Sequence, residues 1–166
     1  MYARILGLTL FGLAVLPAQA VEVDGWEVQR NGASSCLMWA TFDDGSIVST
    51  GLNKKGEVEL SVSSKSWRFT PESSYQRAMI TLDVAGRPDA FPVVFFAPSR
   101  AWQGELELYA DLKSDMEPAF LSALAASGKI SIQIEIAGRT FSSTYRTQNP
   151  VAAIAELRRC TAARPG

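Results

Sequence analysis

Apolar and polar residues alternate over much of the chain with the period of two that a half-buried β-strand imposes. In "GWEVQR" Trp26 and Val28 share one face, and in "EVELSVSS" Val58, Leu60 and Val62 do the same. "AMITLDV" sets Ala78, Ile80, Leu82 and Val84 on one side, and "KISIQIEI" does so with Ile130, Ile132, Ile134 and Ile136. "GELELYAD" points Leu106, Leu108 and Ala110 inward, leaving Glu105, Glu107, Tyr109 and Asp111 on a solvated sheet face. "SCLMWATF" is apolar on both faces, which predicts a central strand with Trp39 in the core. "SIVSTGLN" is its return partner across Asp44-Gly45, a dipeptide suited to the positive φ of a tight hairpin turn. Gly56 turns the chain again, and Gly86 and Pro88 break it before "FPVVFFA", an apolar run too short for a buried helix and rich in strand formers. Gly138 turns "KISIQIEI" into "RTFSSTY", another hairpin.

Two stretches change period. Ser114 and Glu117 have the spacing of a capping box, ahead of a stripe of Phe120, Leu121, Leu124 and Ala125 and a stop at Gly128. Asn149 and Pro150 read as cap and first residue of a closing helix, with Val151, Ile154 and Leu157 as its packing stripe. About eight or nine strands with two helices predict a mainly-β fold, an antiparallel β-sandwich or partly closed barrel, the last of its two short helices being C-terminal.

The first twenty residues differ from all of this. Arg4 precedes an apolar run from Ile5 to Leu16, followed by Pro17 and by Ala18 and Ala20 at the −3 and −1 positions of a cleavage site. That is the pattern of a secretory signal peptide over residues 1–20. The run is well short of the roughly twenty residues of a membrane span. Residues 21–166 then form a single β-rich domain of an exported protein, periplasmic or secreted, soluble and not membrane-spanning.

Export changes the meaning of the two cysteines, Cys36 and Cys160. An oxidising compartment lets a well-placed pair join, and here only one intramolecular pairing exists. A disulfide would tie the last helix to an early strand; the alternative is two buried free thiols. Charge adds little. Without Arg4 the chain holds fifteen Lys plus Arg against seventeen Asp plus Glu, with no block of either sign, which offers no footprint for nucleic acid or an anionic membrane.

The chemistry is bounded chiefly by what is missing. There is no histidine, hence no Ser-His-Asp arrangement and no ordinary zinc site. Cys-x-x-Cys, Gly-x-Ser-x-Gly, Ser-x-x-Lys and glycine-rich phosphate loops are absent as well. No catalytic residue, metal ligand or cofactor site is expected. A carboxylate pair acting on a glycan stays open, because two acids can meet in space from any two strands. Asp43-Asp44 read as turn residues instead. The four tryptophans, Trp26, Trp39, Trp67 and Trp102, are available for core or interface. "FPVVFFAPSRAW" holds more apolar residues than one sheet face needs, so Phe91, Phe95, Phe96 and Trp102 form a candidate binding surface if they are exposed, and a two-sided buried strand if they are not.

With Trp26, Cys36, Trp67-Arg68-Phe69, the helix "PAFLSALAASG" and the closing "AAIAELRRC" in view, the chain resembles the invasion-associated locus B family of small exported proteins of alphaproteobacteria. The resemblance implies a periplasmic or secreted β-sandwich linked to host contact and envelope function. Members often carry a cysteine near the place where Arg30 stands here. Periplasmic lysozyme inhibitors are a second analogy in size and compartment; their serine-glycine-tyrosine inhibitory loop has no match here beyond "SSTY" from Ser142 to Tyr145 as a distant stand-in. The expectation is a non-enzymatic exported module of the cell envelope that binds a protein or an envelope polymer. The alternatives are a carboxylate-dependent cell-wall glycan hydrolase and a lysozyme-inhibitor-like protein.

Overall fold

The computed structural model describes residues 20–64, 75–96, 106–112, 115–136, 139–148 and 150–163. Nearly all of the expected signal peptide, together with Trp67 and Trp102, lies outside these residues, as do the side chains of Phe95 and Phe96. The alternating segments become strands in the order the periodicity predicts. The first half comprises β1 (Val21–Val23), β2 (Trp26–Asn31), β3 (Ser35–Thr41), β4 (Ile47–Asn53) and β5 (Val58–Ser64). The second comprises β6 (Tyr75–Val84), β7 (Arg87–Phe96), β8 (Leu106–Asp111), β9 (Ser127–Ile136) and β10 (Arg139–Arg146). Helix α1 (Glu117–Ala126) runs into β9, and α2 (Val151–Ala162) follows β10.

Every pairing is antiparallel, and the ten strands form one sheet in the order β1-β2-β3-β4-β5-β8-β7-β6-β9-β10. β8 joins the halves, pairing with β5 from Glu59↔Asp111 to Ser64↔Leu106 but with β7 only through Val94, Phe95 and Phe96. The sheet curls, bringing the ring of Phe42, just past β3, to 4.6 Å from that of Tyr145 in β10. Trp26 Nε1 donates to the Gln148 carbonyl across the same seam at 3.2 Å. β1 and β10 nevertheless remain the two ends of the strand order, so the result is sandwich-like and not a closed barrel.

All the inner faces meet in one core. It takes Trp26 and Val28 from β2, Cys36, Met38 and Ala40 from β3, and Val58, Leu60 and Val62 from β5. Ala78, Ile80 and Leu82 of β6 and Ile130, Ile132 and Ile134 of β9 complete it from the second half. Phe120 of α1 meets Phe91 edge to face, with ring centroids 5.3 Å apart. Phe91 is 7% exposed and belongs to this core, so it contributes no binding surface.

Local details depart from the sequence reading at several points. An unforeseen strand, β1, enters β2 through Asp24 and Gly25, both at positive φ (50° and 80°), the backbone of a tight two-residue hairpin turn. The break expected at Gly86 and Pro88 is a turn at Ala85-Gly86 alone, and Pro88 already pairs with Asp83 inside β7. Among the described residues β7 has no neighbour on its second side before Val94, so its prolines interrupt no ladder there. Helix α1 is not opened by a capping box. Glu117 is its first residue, Met116 is the N-cap without a side-chain bond, and Glu117 Oε1 instead accepts the Val58 N–H at 3.0 Å. Ser114 lies outside the described residues. The helix ends at Ala126 on an extended Ser127, and Gly128 is already part of β9. In α2 the buried positions are Ala153, Ile154, Leu157 and Thr161, while Val151 is 52% exposed at the helix start.

The two cysteines are joined. Cys36 in β3 and Cys160 in α2 form a disulfide with Cα atoms 6.1 Å apart. Directly opposite Cys36 in the β2–β3 ladder stands Arg30. Its Nη2 donates to the carbonyls of Cys160 (2.7 Å) and Ala163 (3.1 Å), groups that the end of a helix leaves unpaired. Arg159 in the same turn pairs with Glu156, whose hydrogen bond and charge hold the guanidinium pKa above its ordinary value. Helix α2 is thereby fixed by a covalent bond and by a cationic cap on adjacent strands.

Replacing Cys36 and Cys160 together by alanine should cost about 2–5 kcal/mol of unfolding free energy, since the cross-link closes a long loop. Arg30→Met in the oxidised protein should cost a further 1–3 kcal/mol or so through the lost charged hydrogen bonds. Urea titration of the three proteins measures both effects.

Candidate functional site

Alternation that turns Cys36, Met38 and Ala40 inward turns Leu37, Trp39 and Thr41 outward. Trp39 is therefore not a core residue. It is partly exposed on the outer face of β3, between Glu27 of β2 and Ser49 of β4, its cross-strand partners. A depression of about 490 Å³ lies against it, lined also by Glu22, Gly25, Glu27 and Thr41. Its support is rigid, because β3 is paired along both edges and pinned by the disulfide.

A second and larger depression, of about 680 Å³, lies where the curled sheet fails to close. Its walls include Trp26, Phe42, Asp43, Tyr145, Arg146 and Gln148. Gly25 and Thr41 line both depressions, so the two adjoin at the sheet end as a groove from the outer face of β3 toward the seam. Gly25 has a backbone reason to be glycine, its φ of +80°.

The polar groups of the groove divide by how they are held. Asp44 is committed to the hairpin turn: Oδ1 accepts the Ser46 N–H at 2.8 Å and Oδ2 accepts the Ser46 hydroxyl at 2.9 Å. Glu22, Glu27 and Asp43 are exposed. Tyr145 is 4% exposed, and its hydroxyl has no hydrogen-bond partner among the described residues.

Two further hollows lie elsewhere. One, of about 480 Å³, is on the outer face of β6, β7 and β9, with Met79, Pro92 and the 46%-exposed Val94 between Arg77 and Glu135. It is the nearest counterpart of the aromatic binding surface expected on Phe91, Phe95, Phe96 and Trp102, but Phe91 faces away from it into the core. The other, of about 490 Å³, lies beside the disulfide and holds Glu57, Glu59 and the buried Glu117. Among the described residues no cluster of three or more His, Cys, Asp or Glu is placed to hold a metal ion, and no helix is long and apolar enough to cross a membrane. "SSTY" belongs to the body of β10, with Tyr145 buried, and does not form a projecting loop.

Comparison of the chain with protein-family models, curated proteins and solved structures finds no match.

The two described tryptophans should respond oppositely to truncation. Trp26→Ala, at a side chain 1% exposed, should cost about 3–5 kcal/mol. Trp39→Ala should cost less than about 2 kcal/mol, as a change on the outer face. Denaturant midpoints of the two variants give the comparison.

Proposed function

We propose that this chain is a non-enzymatic exported binding module that holds a protein or envelope-polymer partner along the groove from Trp39 to the Phe42–Tyr145 seam. The observation that carries the reading is Trp39 itself: a large aromatic side chain left partly exposed on a doubly paired strand, where a polar residue would serve solubility better. Aromatic anchors on a preorganised support contribute most to binding, because little conformational freedom is lost when the partner arrives. The continuity of the two depressions through Gly25 and Thr41 favours an extended partner over a compact small molecule. The export pattern of residues 1–20, and the likeness to small envelope proteins in Trp26, Cys36 and Cys160, support a partner in the envelope.

A second reading has its own observation. Glu57, Glu59 and Glu117 line one cleft, as a glycan hydrolase would require. Against it, one oxygen of Glu117 is already engaged by the Val58 N–H.

Both readings are tested with the oxidised protein. Immobilised wild type should retain an envelope component that Trp39→Ala and Phe42→Ala each lose by about tenfold, a difference of about 1.4 kcal/mol, while Glu59→Gln retains it. Release of soluble fragments from purified cell wall, abolished by Glu59→Gln or Glu117→Gln, together with no Trp39-dependent retention, would replace binding with hydrolysis.

A further inference from the structure

We propose that the groove is built for a basic, extended segment of a partner protein, with a lysine or arginine head group seated at the seam and hydrogen-bonded to Tyr145. The proposal rests on the binding reading above and specifies its partner.

The first observation is the Tyr145 hydroxyl. A buried polar group without a partner costs free energy, and native structures rarely leave one unless a ligand, water or chemistry uses it. Tyr145 is 4% exposed, lines the larger depression, and has no partner for its hydroxyl among the described residues. Phe42, its ring tilted 33° against that of Tyr145, is only partly buried and lines the same depression. A phenol can donate or accept, so the hydroxyl alone does not fix the ligand's sign.

Charge fixes it. The two depressions are lined by four carboxylates, Glu22, Glu27, Asp43 and Asp44, against one guanidinium, Arg146. Such walls favour a cation and repel an anionic segment. The ring faces of Phe42 and Trp39 add the quadrupole attraction that ammonium and guanidinium groups find on aromatics. The form of the ligand follows from the continuity of the groove: basic side chains projecting from an extended backbone can reach the seam and the Trp39 depression together, which a lone polyamine head group or a compact sugar does not require.

The test uses the oxidised full chain and three probes: a fluorescent lysine-rich decapeptide, its glutamate counterpart and a neutral chito-oligosaccharide. Fluorescence anisotropy, or calorimetry for the sugar, is read at low and high salt. The lysine peptide should bind and weaken as salt rises. The double variant Glu27→Gln with Asp43→Asn should lose about tenfold in affinity, about 1.4 kcal/mol. Tyr145→Phe should weaken binding several-fold while raising the Tm of the free protein by about 2–4 °C, because it deletes an unsatisfied buried hydroxyl. A merely structural tyrosine would not move the two readouts in opposite directions. If the sugar or the glutamate peptide binds in a Trp39-dependent way and the lysine peptide does not, the cationic partner is overturned and the groove reading stands. If no probe binds and Trp39→Ala leaves retention from envelope extract unchanged, both fall. Unaltered lysine-peptide affinity in Tyr145→Phe removes the role of the hydroxyl.

Discussion

Helix α2 is held against the first half of the sheet by three neighbouring attachments, and most of the molecule follows from them. The Cys36–Cys160 bond ties the helix to β3. The Arg30 guanidinium, from the residue paired with Cys36, closes the last turn through the carbonyls of Cys160 and Ala163. The Thr161 hydroxyl lies 3.2 Å from the Leu52 carbonyl in β4. Because Ala153, Ile154 and Leu157 then cover the inner faces of these strands, β3 is committed to a phase: Cys36 must face inward, and Trp39, an odd number of residues away, must face outward. The exposed tryptophan is thus a consequence of the disulfide's register.

The second half of the sheet is held by its strand ladders and by packing, without a disulfide among the described residues. Ile80 pairs with Ile132 and Leu82 with Ile130, and α1 adds Phe120 against Phe91. Among the described residues β8, the Glu117–Val58 and Trp26–Gln148 hydrogen bonds and the Phe42–Tyr145 contact join this half to the first. At the seam the two halves meet through a hydrogen bond and a ring contact and not through a strand ladder. A site there is framed by rigid strands on either side and can adjust across the join, as a groove for an extended partner requires.

How much of this is legible in the sequence depends on how far each feature is local. Strands with one apolar face are legible, because the core residues Val58, Leu60, Val62 and Ile130, Ile132, Ile134 mark their own phase. A strand apolar on both faces is not: in "SCLMWATF" either face could be buried, and only the cross-link to Cys160 decides against Trp39. The same holds for "FPVVFFA", where Phe91 and Val93 turn inward while Pro92 and Val94 remain exposed. Asp24-Gly25 carries the same hairpin signal as Asp44-Gly45 and would have marked β1, had three residues been counted as a strand. Glu117 is read as a capping residue because spacing cannot reveal the distant Val58 N–H that competes for its carboxylate. The groove itself has no local signature, since Trp39, Phe42 and Tyr145 come together only through the curl of the sheet.

The Tyr145 hydroxyl is buried without a hydrogen-bond partner among the described residues. Leaving such a group buried costs about 1–3 kcal/mol, a sizeable part of the 5–15 kcal/mol that usually separates folded from unfolded chains. A cross-link spanning 124 residues contributes about 5 kcal/mol in the chain-entropy description, more than that cost. The clamp on α2 and the seam are in this sense complementary: the covalent bond supplies stability at one place that the buried hydroxyl costs at another. A phenylalanine at position 145 would remove that cost by deleting one atom. A tyrosine in its place is understandable where the hydroxyl has a partner that arrives from outside the chain.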